Sequence, residues 1–259
     1  MELWVGTSGY SYKEWKGSFY PEDLPDKEML AAYARKLPAV EINNTFYRLP
    51  TPSLLRTWAG QVPLDFRFVL KASRRITHLK RLKECEEETK YLFKTARSLG
   101  ERLGAILFQL PPNLKKDTPR LDGFLKLIPD HFQAAFEFRH ESWFEKDVYD
   151  ALRNTGCALC FADTEDNLLK SPLSTAAWGY LRLRRPDYSE HELRDWVKQV
   201  KKQEWDRVFV FFKHEDGPEG PELAHRFLEL ARRKTAAAVE SSGQSAGGRK
   251  KPGRAVPGP

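Results

Sequence analysis

Three short apolar runs in this chain carry charges that a buried segment would not ordinarily tolerate. Glu41 sits inside Val40-Glu41-Ile42 and is followed by Asn43. Glu137 lies between Phe136 and Phe138 and is followed by Arg139 and His140. Arg182 and Arg184 alternate with Leu181 and Leu183. An unpaired buried charge is costly, so these residues must pair with one another or serve a ligand. Carboxylates such as Glu41 and Glu137 can divide acid and base work when burial and nearby cations separate their pKa values. Arginine forks match phosphate or carboxylate oxygens two at a time. Lys71 could form a Schiff base if its pKa is depressed, although an ion-pair role ranks above that. A divalent metal would need Glu41, Glu137, Asp163 and His214 as ligands. The six histidines show neither H-x-H nor H-E-x-x-H spacing, so no metal ligand is assigned and the cofactor stays unknown.

Such residues need a scaffold that gathers them. Short apolar runs alternate with amphipathic stretches from one end to the other. The strand candidates are 3–6, 39–43, 66–71, 104–110, 134–138, 157–162, 178–183 and 207–212. Helical segments fall near 27–37, 52–60, 82–100, 118–128, 144–155, 189–202 and 219–234, while the link over 164–176 has no clear helix. Thr51-Pro52 and Asp117-Thr118-Pro119 read as helix starts, and Ser189 with Glu192 as a capping box. Gly100 and Gly156 stand where left-handed caps are wanted. Repeated strand–helix units imply a parallel sheet, and eight of them fit a single-domain α/β fold, a closed (β/α)8 barrel of TIM type. The alternative is a doubly wound open sheet, but no G-x-G-x-x-G or G-x-x-x-x-G-K-[ST] follows any strand.

Side chains on barrel strands alternate between the interior and the helix layer, and active sites form at the C-terminal strand ends. The inward register then predicts Thr7 or Ser8, Glu41 and Asn43, Lys71, Gln109, Glu137 and Arg139 at one mouth. It adds Asp163 with Leu159 and Phe161, Tyr180 with Arg182 and Arg184, and Lys213 or His214. Three carboxylates against five cations suit an anionic ligand. A structural ion network at the barrel mouth is the competing reading. Aromatic residues crowd the same loops: Tyr10, Tyr12, Trp15, Phe19, Tyr20, Phe46, Tyr47, Trp143 and Phe144. They could stack sugars or bases, or form a minicore that seals the barrel top.

Composition excludes other classes. Of 259 residues, 41% are hydrophobic and 31% charged, which rules out a disordered or collagen-like chain. No apolar run approaches the ~18 residues of a membrane span, and no basic segment precedes an apolar stretch as in a signal peptide. Three cysteines are too few for a disulfide framework, which points to a reducing, cytoplasmic setting. Cys157 and Cys160, three apart on a strand, should point to opposite faces and serve packing. The net charge of +7 is local: from Arg232 onward seven basic residues face only Glu240, so that end carries +6 and residues 1–231 carry +1. Five glycines and three prolines without an aromatic residue over 236–259 predict a disordered basic tail, 235–259, after a folded body over 1–234.

The segments that carry the chemistry resemble the YecE-like family, a domain of unknown function. The likeness rests on Gly6-Thr7-Ser8-Gly9-Tyr10 with Trp15 and Phe19-Tyr20-Pro21, then Glu41-Ile42-Asn43-Asn44-Thr45-Phe46-Tyr47. It continues through Lys71-Ala72, Ile76-Thr77-His78, Gln109-Leu110-Pro111-Pro112 and Glu137-Phe138-Arg139-His140-Glu141-Ser142-Trp143. Tyr180-Leu181-Arg182 and Phe212-Lys213-His214-Glu215 look like one branch's version of the last two strands, where other members carry different segments. The resemblance spans residue 6 to about 230 and implies a TIM-type barrel. It implies no reaction, and fold alone supplies none.

The expectation is an enzyme, a hydrolase, lyase or isomerase, acting on a nucleotide, nucleic acid or sugar phosphate by carboxylate acid/base chemistry. Glu41 and Glu137 would be the acid/base pair, with Asp163 orienting water or a metal and Lys71 beside them. Asn43, Tyr47, Gln109, Arg139, His140, Trp143, Arg182, Arg184, Lys213 and His214 would bind the substrate. The rival is a non-catalytic protein that grips an anionic ligand or a nucleic-acid end. The tail could add weak phosphate contacts through Arg249, Lys250, Lys251 and Arg254. Oligomeric state is not legible.

Overall fold

The computed structural model describes residues 1–164, 168–213, 217 and 219–243. Eight strands pair in parallel and in chain order: β1 Glu2–Ser8, β2 Ala39–Ile42, β3 Arg67–Lys71, β4 Leu103–Gln109, β5 Ala134–Glu137, β6 Ala158–Asp163, β7 Trp178–Leu183 and β8 Arg207–Phe212. β8 pairs back onto β1 from Glu2↔Arg207 to Thr7↔Phe212, which closes the barrel. The helices are α1 Met29–Ala34, α2 Pro52–Gly60, α3 Glu86–Ala96, α4 Thr118–Leu125, α5 Lys146–Asn154, α6 Glu190–Lys201 and α7 Glu219–Gly243. No α-helix is described between β6 and β7, where the sequence shows none.

Three helix starts, those of α2, α4 and α6, follow their caps. Thr51 accepts from the Leu54 N–H ahead of Pro52, and Asp117 accepts from the Arg120 N–H. Ser189 and Glu192 form a reciprocal capping box, with the Ser189 N–H donating to Glu192 at 2.8 Å. Gly156 takes φ 63° directly after α5, as a left-handed cap requires. α7 continues to Gly243, past residue 235 where composition ends the folded body; the rest of the tail lies outside the described residues. No helix among the described residues is long and apolar enough to cross a membrane.

Two apolar layers hold the barrel. Outside it, Val40, Ile42, Phe68, Ile106, Phe108, Phe136, Leu181 and Val210 pack under the helices. Inside it, Trp4, Val69, Leu107, Trp178, Tyr180, Phe209 and Phe211 form a separate cluster. Trp4 stacks on Phe209 at 5.2 Å and Tyr180 packs on Phe211 at 5.5 Å, so the lower barrel is filled with rings. Each such side chain stabilises the fold by about 1.5–3 kcal/mol through burial. Cys157 belongs to the outer layer and Cys160 to the inner one, as their spacing predicts.

Strand six corrects the expected register. Leu159 and Phe161 belong to the outer layer, while Ala158 and Cys160 face the interior. Tyr180, Phe209 and Phe211 already fill the interior at this level, and small residues fit beside them. Asp163, two positions beyond Phe161, therefore lies on the helix-layer face rather than among the inward residues.

Candidate functional site

Above the aromatic floor the interior turns polar, and its centre is Arg182. This guanidinium is 1% exposed and spans the barrel between two carboxylates. It donates from Nη1 to Glu137 Oε2 at 2.6 Å and from Nη2 to Glu41 Oε1 at 2.8 Å. Glu41 also accepts from Ser8 Oγ at 2.8 Å and from the Tyr180 hydroxyl at 2.6 Å. Glu137 Oε1 accepts from Gln109 Nε2 at 2.7 Å and from Arg139 Nε at 3.0 Å. Five strands thus meet in one network, each through an inward residue near its C-terminal end. Ser8 is the inward member of the β1 pair; Thr7 bonds Tyr33 in the helix layer.

Electrostatics sets what these groups can do. Burial pushes both glutamates up, but Arg182 and their other partners together outweigh it and hold each below the usual carboxylate range. Tyr180 and Ser8 assist at Glu41, and Arg139 and Arg184 at Glu137. Both carboxylates are therefore ionised at neutral pH. A permanently ionised, fully hydrogen-bonded carboxylate has no proton to donate. The expected division of acid and base work between Glu41 and Glu137 is not what this geometry provides. Arg182, expected to hold a ligand anion, instead holds these two.

Lys71 behaves differently. It ends β3 in the inward register, and burial, with Arg182 second, pulls its amine down to about 8. Its Nζ lies 4.4 Å from the centre of the Phe46 ring and makes no hydrogen bond or ion pair among the described residues. Thr45 Oγ1 donates to the Lys71 carbonyl at 2.7 Å, which ties this strand end to the loop after β2. His78 meets the same Phe46 ring edge-on at 4.8 Å, and burial and Lys71 lower its pKa. It lies on a π-helical turn, Arg75–Leu79, a geometry rare enough to mark functional positions.

A cleft of about 940 Å³ opens over the β5–β8 side of the mouth. Arg139, Arg184, Arg185 and Lys213 line it, against Glu137 and Glu219. Cys160 and Ala162 form part of its wall from β6. Arg184 is half-buried; its backbone N–H donates to the Asp163 carbonyl at 3.0 Å, and its guanidinium makes no hydrogen bond or ion pair among the described residues. Burial, and then Arg182, lower its pKa, more than the fields of Glu137 and Glu41 raise it.

The remaining candidates separate. Asn43 follows β2 and leaves its buried Oδ1 without a partner among the described residues. Tyr47 is 71% exposed on the next turn, against Phe46. His140 caps a short turn, Glu141–Trp143, by accepting from the Ser142 N–H at 3.2 Å. Trp143 is fully buried, stacks on Phe138 at 4.7 Å and donates to the Leu114 carbonyl at 2.7 Å. It belongs to a sealing minicore, as do Trp15 and Tyr20, rather than to a ligand surface. His214 lies outside the described residues. Asp163 accepts from the Tyr188 hydroxyl at 2.8 Å and from Arg185 Nε at 3.1 Å. Among the described residues no three His, Cys, Asp or Glu side chains converge as a metal site.

Asp163 gives a first expected outcome. Asp163→Asn should cost about 1–2 kcal/mol of stability through its weakened charged hydrogen bonds. Anion affinity at the cleft should change by less than about threefold. Calorimetric unfolding and ligand titration of the variant check both; a lost ligand site with unchanged stability would return Asp163 to the site.

Sequence reasoning missed Arg185 and Cys160 as cleft residues. Arg185 follows an inward Arg184 and should alternate outward, but the strand ends at Leu183 and alternation no longer applies. Cys160 was legible from the small residues Ala158, Cys160 and Ala162 alternating with Leu159 and Phe161.

Fold and mouth together define a TIM-type α/β barrel with an internally paired charge network beneath a cationic cleft. The chain belongs to the family described as "Protein of unknown function DUF72", which matches residues 4–246. It is 25% identical over 270 residues to the UPF0759 protein YunF of Bacillus subtilis strain 168, covering 88% of this chain and 94% of that one. It is 33% identical over 128 residues to the UPF0759 protein YecE of Escherichia coli K12, across 49% of this chain and 47% of YecE. The chain thus matches about half the length of the YecE proteins. Among solved structures, a DUF72 family protein of Thermotoga maritima MSB8 superposes with a TM-score of 0.79 at 27% identity, over 89% of this chain and 99% of that one. A DUF72 family protein of Enterococcus faecalis V583 gives a TM-score of 0.74 at 20% identity, covering 88% and 95% of the two chains, a likeness of fold.

Proposed function

We propose that the barrel mouth is the active site of an enzyme whose substrate carries a phosphate or carboxylate. The observation that carries this reading is Arg184, a half-buried guanidinium with no partner among the described residues, facing a cleft it shares with Arg139 and Lys213. An arginine so placed is stabilised by an anion from solution, held through charge-assisted hydrogen bonds. Arg139 bonds Glu137 through Nε, and among the described residues its terminal nitrogens hold no partner, which leaves them to a ligand. The Glu41–Arg182–Glu137 network fixes the strand ends and the local field, a positioning role. Lys71 is the group able to exchange a proton near neutral pH, because burial and Arg182 bring its amine to about 8.

The reading is tested by thermal-shift titration of the full chain with inorganic phosphate, nucleoside monophosphates, sugar phosphates and 2-oxo acids, each followed by product analysis. Anions should raise Tm and neutral analogues should not. A ligand at 100 times its Kd adds about 2.7 kcal/mol. Turnover of a stabilising compound marks the enzyme; stabilisation without chemical change of any compound marks the binding protein. No shift with any anion at low salt sinks the anion site itself.

A further inference from the structure

We propose that Lys71 is a covalent nucleophile, its amine forming an imine with the carbonyl of a substrate that also carries a phosphate or carboxylate. The inference rests on the anion site proposed above and adds the substrate class. Its basis is the placement of Lys71. The side chain rises from the last residue of β3, inside the barrel, at the strand end where ligands of this architecture are met. Both nearby carboxylates already hold Arg182, so neither forms an ion pair with the Lys71 amine. Phe46 covers one side of the amine at 4.4 Å. That ring favours the ammonium form. Burial and the Arg182 charge favour the neutral amine more than Glu41 and Glu137 favour the ammonium. The β2–β3 register, Ile42↔Leu70, sets Asn43 beside Lys71. The buried Asn43 Oδ1 has no donor among the described residues, and a hydroxyl formed on the substrate could supply one.

The step balances without an added oxidant or reductant. The neutral Lys71 Nζ attacks the carbonyl carbon, and the C–O π electrons move to oxygen, which takes a proton. Nitrogen then loses a proton, the hydroxyl takes up a second proton and leaves as water, and the nitrogen lone pair forms the C=N bond. Loss of the remaining N–H proton returns that proton and gives the neutral imine. Amine and carbonyl become imine and one water. Protonation of the imine gives an electron sink next to the substrate carbons, which is the use of such an adduct in bond cleavage or isomerisation. A lysine kept only as a cation would need none of this and would be better served by a fully exposed or ion-paired position.

The test uses pyridoxal 5′-phosphate, an aldehyde bearing a phosphate, on the full chain, with borohydride reduction and peptide mapping. At pH 8 about half of an amine titrating near 8 is neutral, against roughly 0.4% of an ordinary lysine, so Lys71 should be labelled on the order of 100-fold faster. The labelling rate should level off above about pH 8, whereas surface lysines keep gaining towards 10. Inorganic phosphate should protect Lys71, and pyridoxal without its phosphate should label it more slowly. Lys71→Arg should lose the fast adduct while circular dichroism shows the fold intact. Labelling spread over surface lysines with Lys71 unmodified overturns the proposal, and a folded Lys71→Arg protein that still forms the fast adduct does the same. If phosphate still binds in the thermal-shift assay while Lys71 stays unlabelled, the imine fails and the anion site stands. If Lys71 reacts equally with both aldehydes and phosphate gives no protection, the anionic substrate class fails.

Discussion

Replacing Arg182 with methionine should destabilise the fold by about 3–5 kcal/mol, the cost of leaving buried carboxylates without their shared cation. For a barrel of this size that corresponds to a fall in Tm of roughly 10 °C. Glu41 is 0% exposed and Glu137 1%, so water cannot replace the lost partner at either without opening the mouth. The pH dependence should also change sign. In the native protein both glutamates have folded-state pKa values below their unfolded ones. Their contribution is present above the unfolded value of about 4.3 and is lost as pH falls towards the folded values. Without Arg182, burial dominates at Glu41 and raises its pKa, so that contribution is lost as pH rises above the unfolded value of about 4.3. The Arg182→Met penalty should therefore shrink in mild acid. Adding Glu41→Gln and Glu137→Gln should recover much of the stability at pH 7. Chemical denaturation of the single and triple variants at two pH values measures this; a single-variant loss under about 1 kcal/mol would show that the network is not what holds the mouth.

Arg184→Ala should leave the fold in place and weaken anion binding by about 10–100-fold, the value of one charged hydrogen-bonding group at about 1.5–3 kcal/mol. Its contrast with Arg182 follows from geometry. Both alternate inward on one strand path, but Arg182 has two carboxylates within 2.8 Å and the Arg184 guanidinium makes no hydrogen bond or ion pair among the described residues. Burial and then Arg182 disfavour its charge, so removing Arg184 relieves that cost while giving up its weaker pull on Glu137. The variant should be as stable as the native chain or slightly more so when ligand is absent. Ligand affinity should fall most at low salt and less at high salt, where screening already weakens the native site. Titration calorimetry with inorganic phosphate at two ionic strengths reads both. An unchanged affinity would place anion binding outside this cleft.

The barrel was legible because each strand announces itself as an apolar run and α2, α4 and α6 announce themselves by their caps. Glu41, Glu137 and Arg182 were legible because a charge flanked by apolar residues must be buried or functional. Their mutual pairing was not: Arg182 and Glu41 are 141 residues apart, and only barrel closure brings them to 2.8 Å. That pairing changes their chemistry, from acid, base and anion holder to one internal salt-bridge network. The register of β6 was misread through Asp163, a polar strand end that resembles the others. The decisive signal was size, because the ring-filled interior accepts Cys160 and Ala158 and excludes Phe161. His140 and Trp143 looked like site residues by position, yet one caps a turn and the other fills a core. Neither role can be read without knowing which backbone N–H or carbonyl lies within reach.

The central claim is that an anion binds at the barrel mouth through Arg184. A crystal structure of the full chain with bound phosphate tests it most directly. The expected result is a phosphate with oxygens within hydrogen-bond distance of the Arg184 guanidinium and of Arg139 or Lys213, over the C-terminal end of β7. A mouth free of phosphate, with the anion bound only at other surfaces of the barrel at saturating concentration, would contradict it.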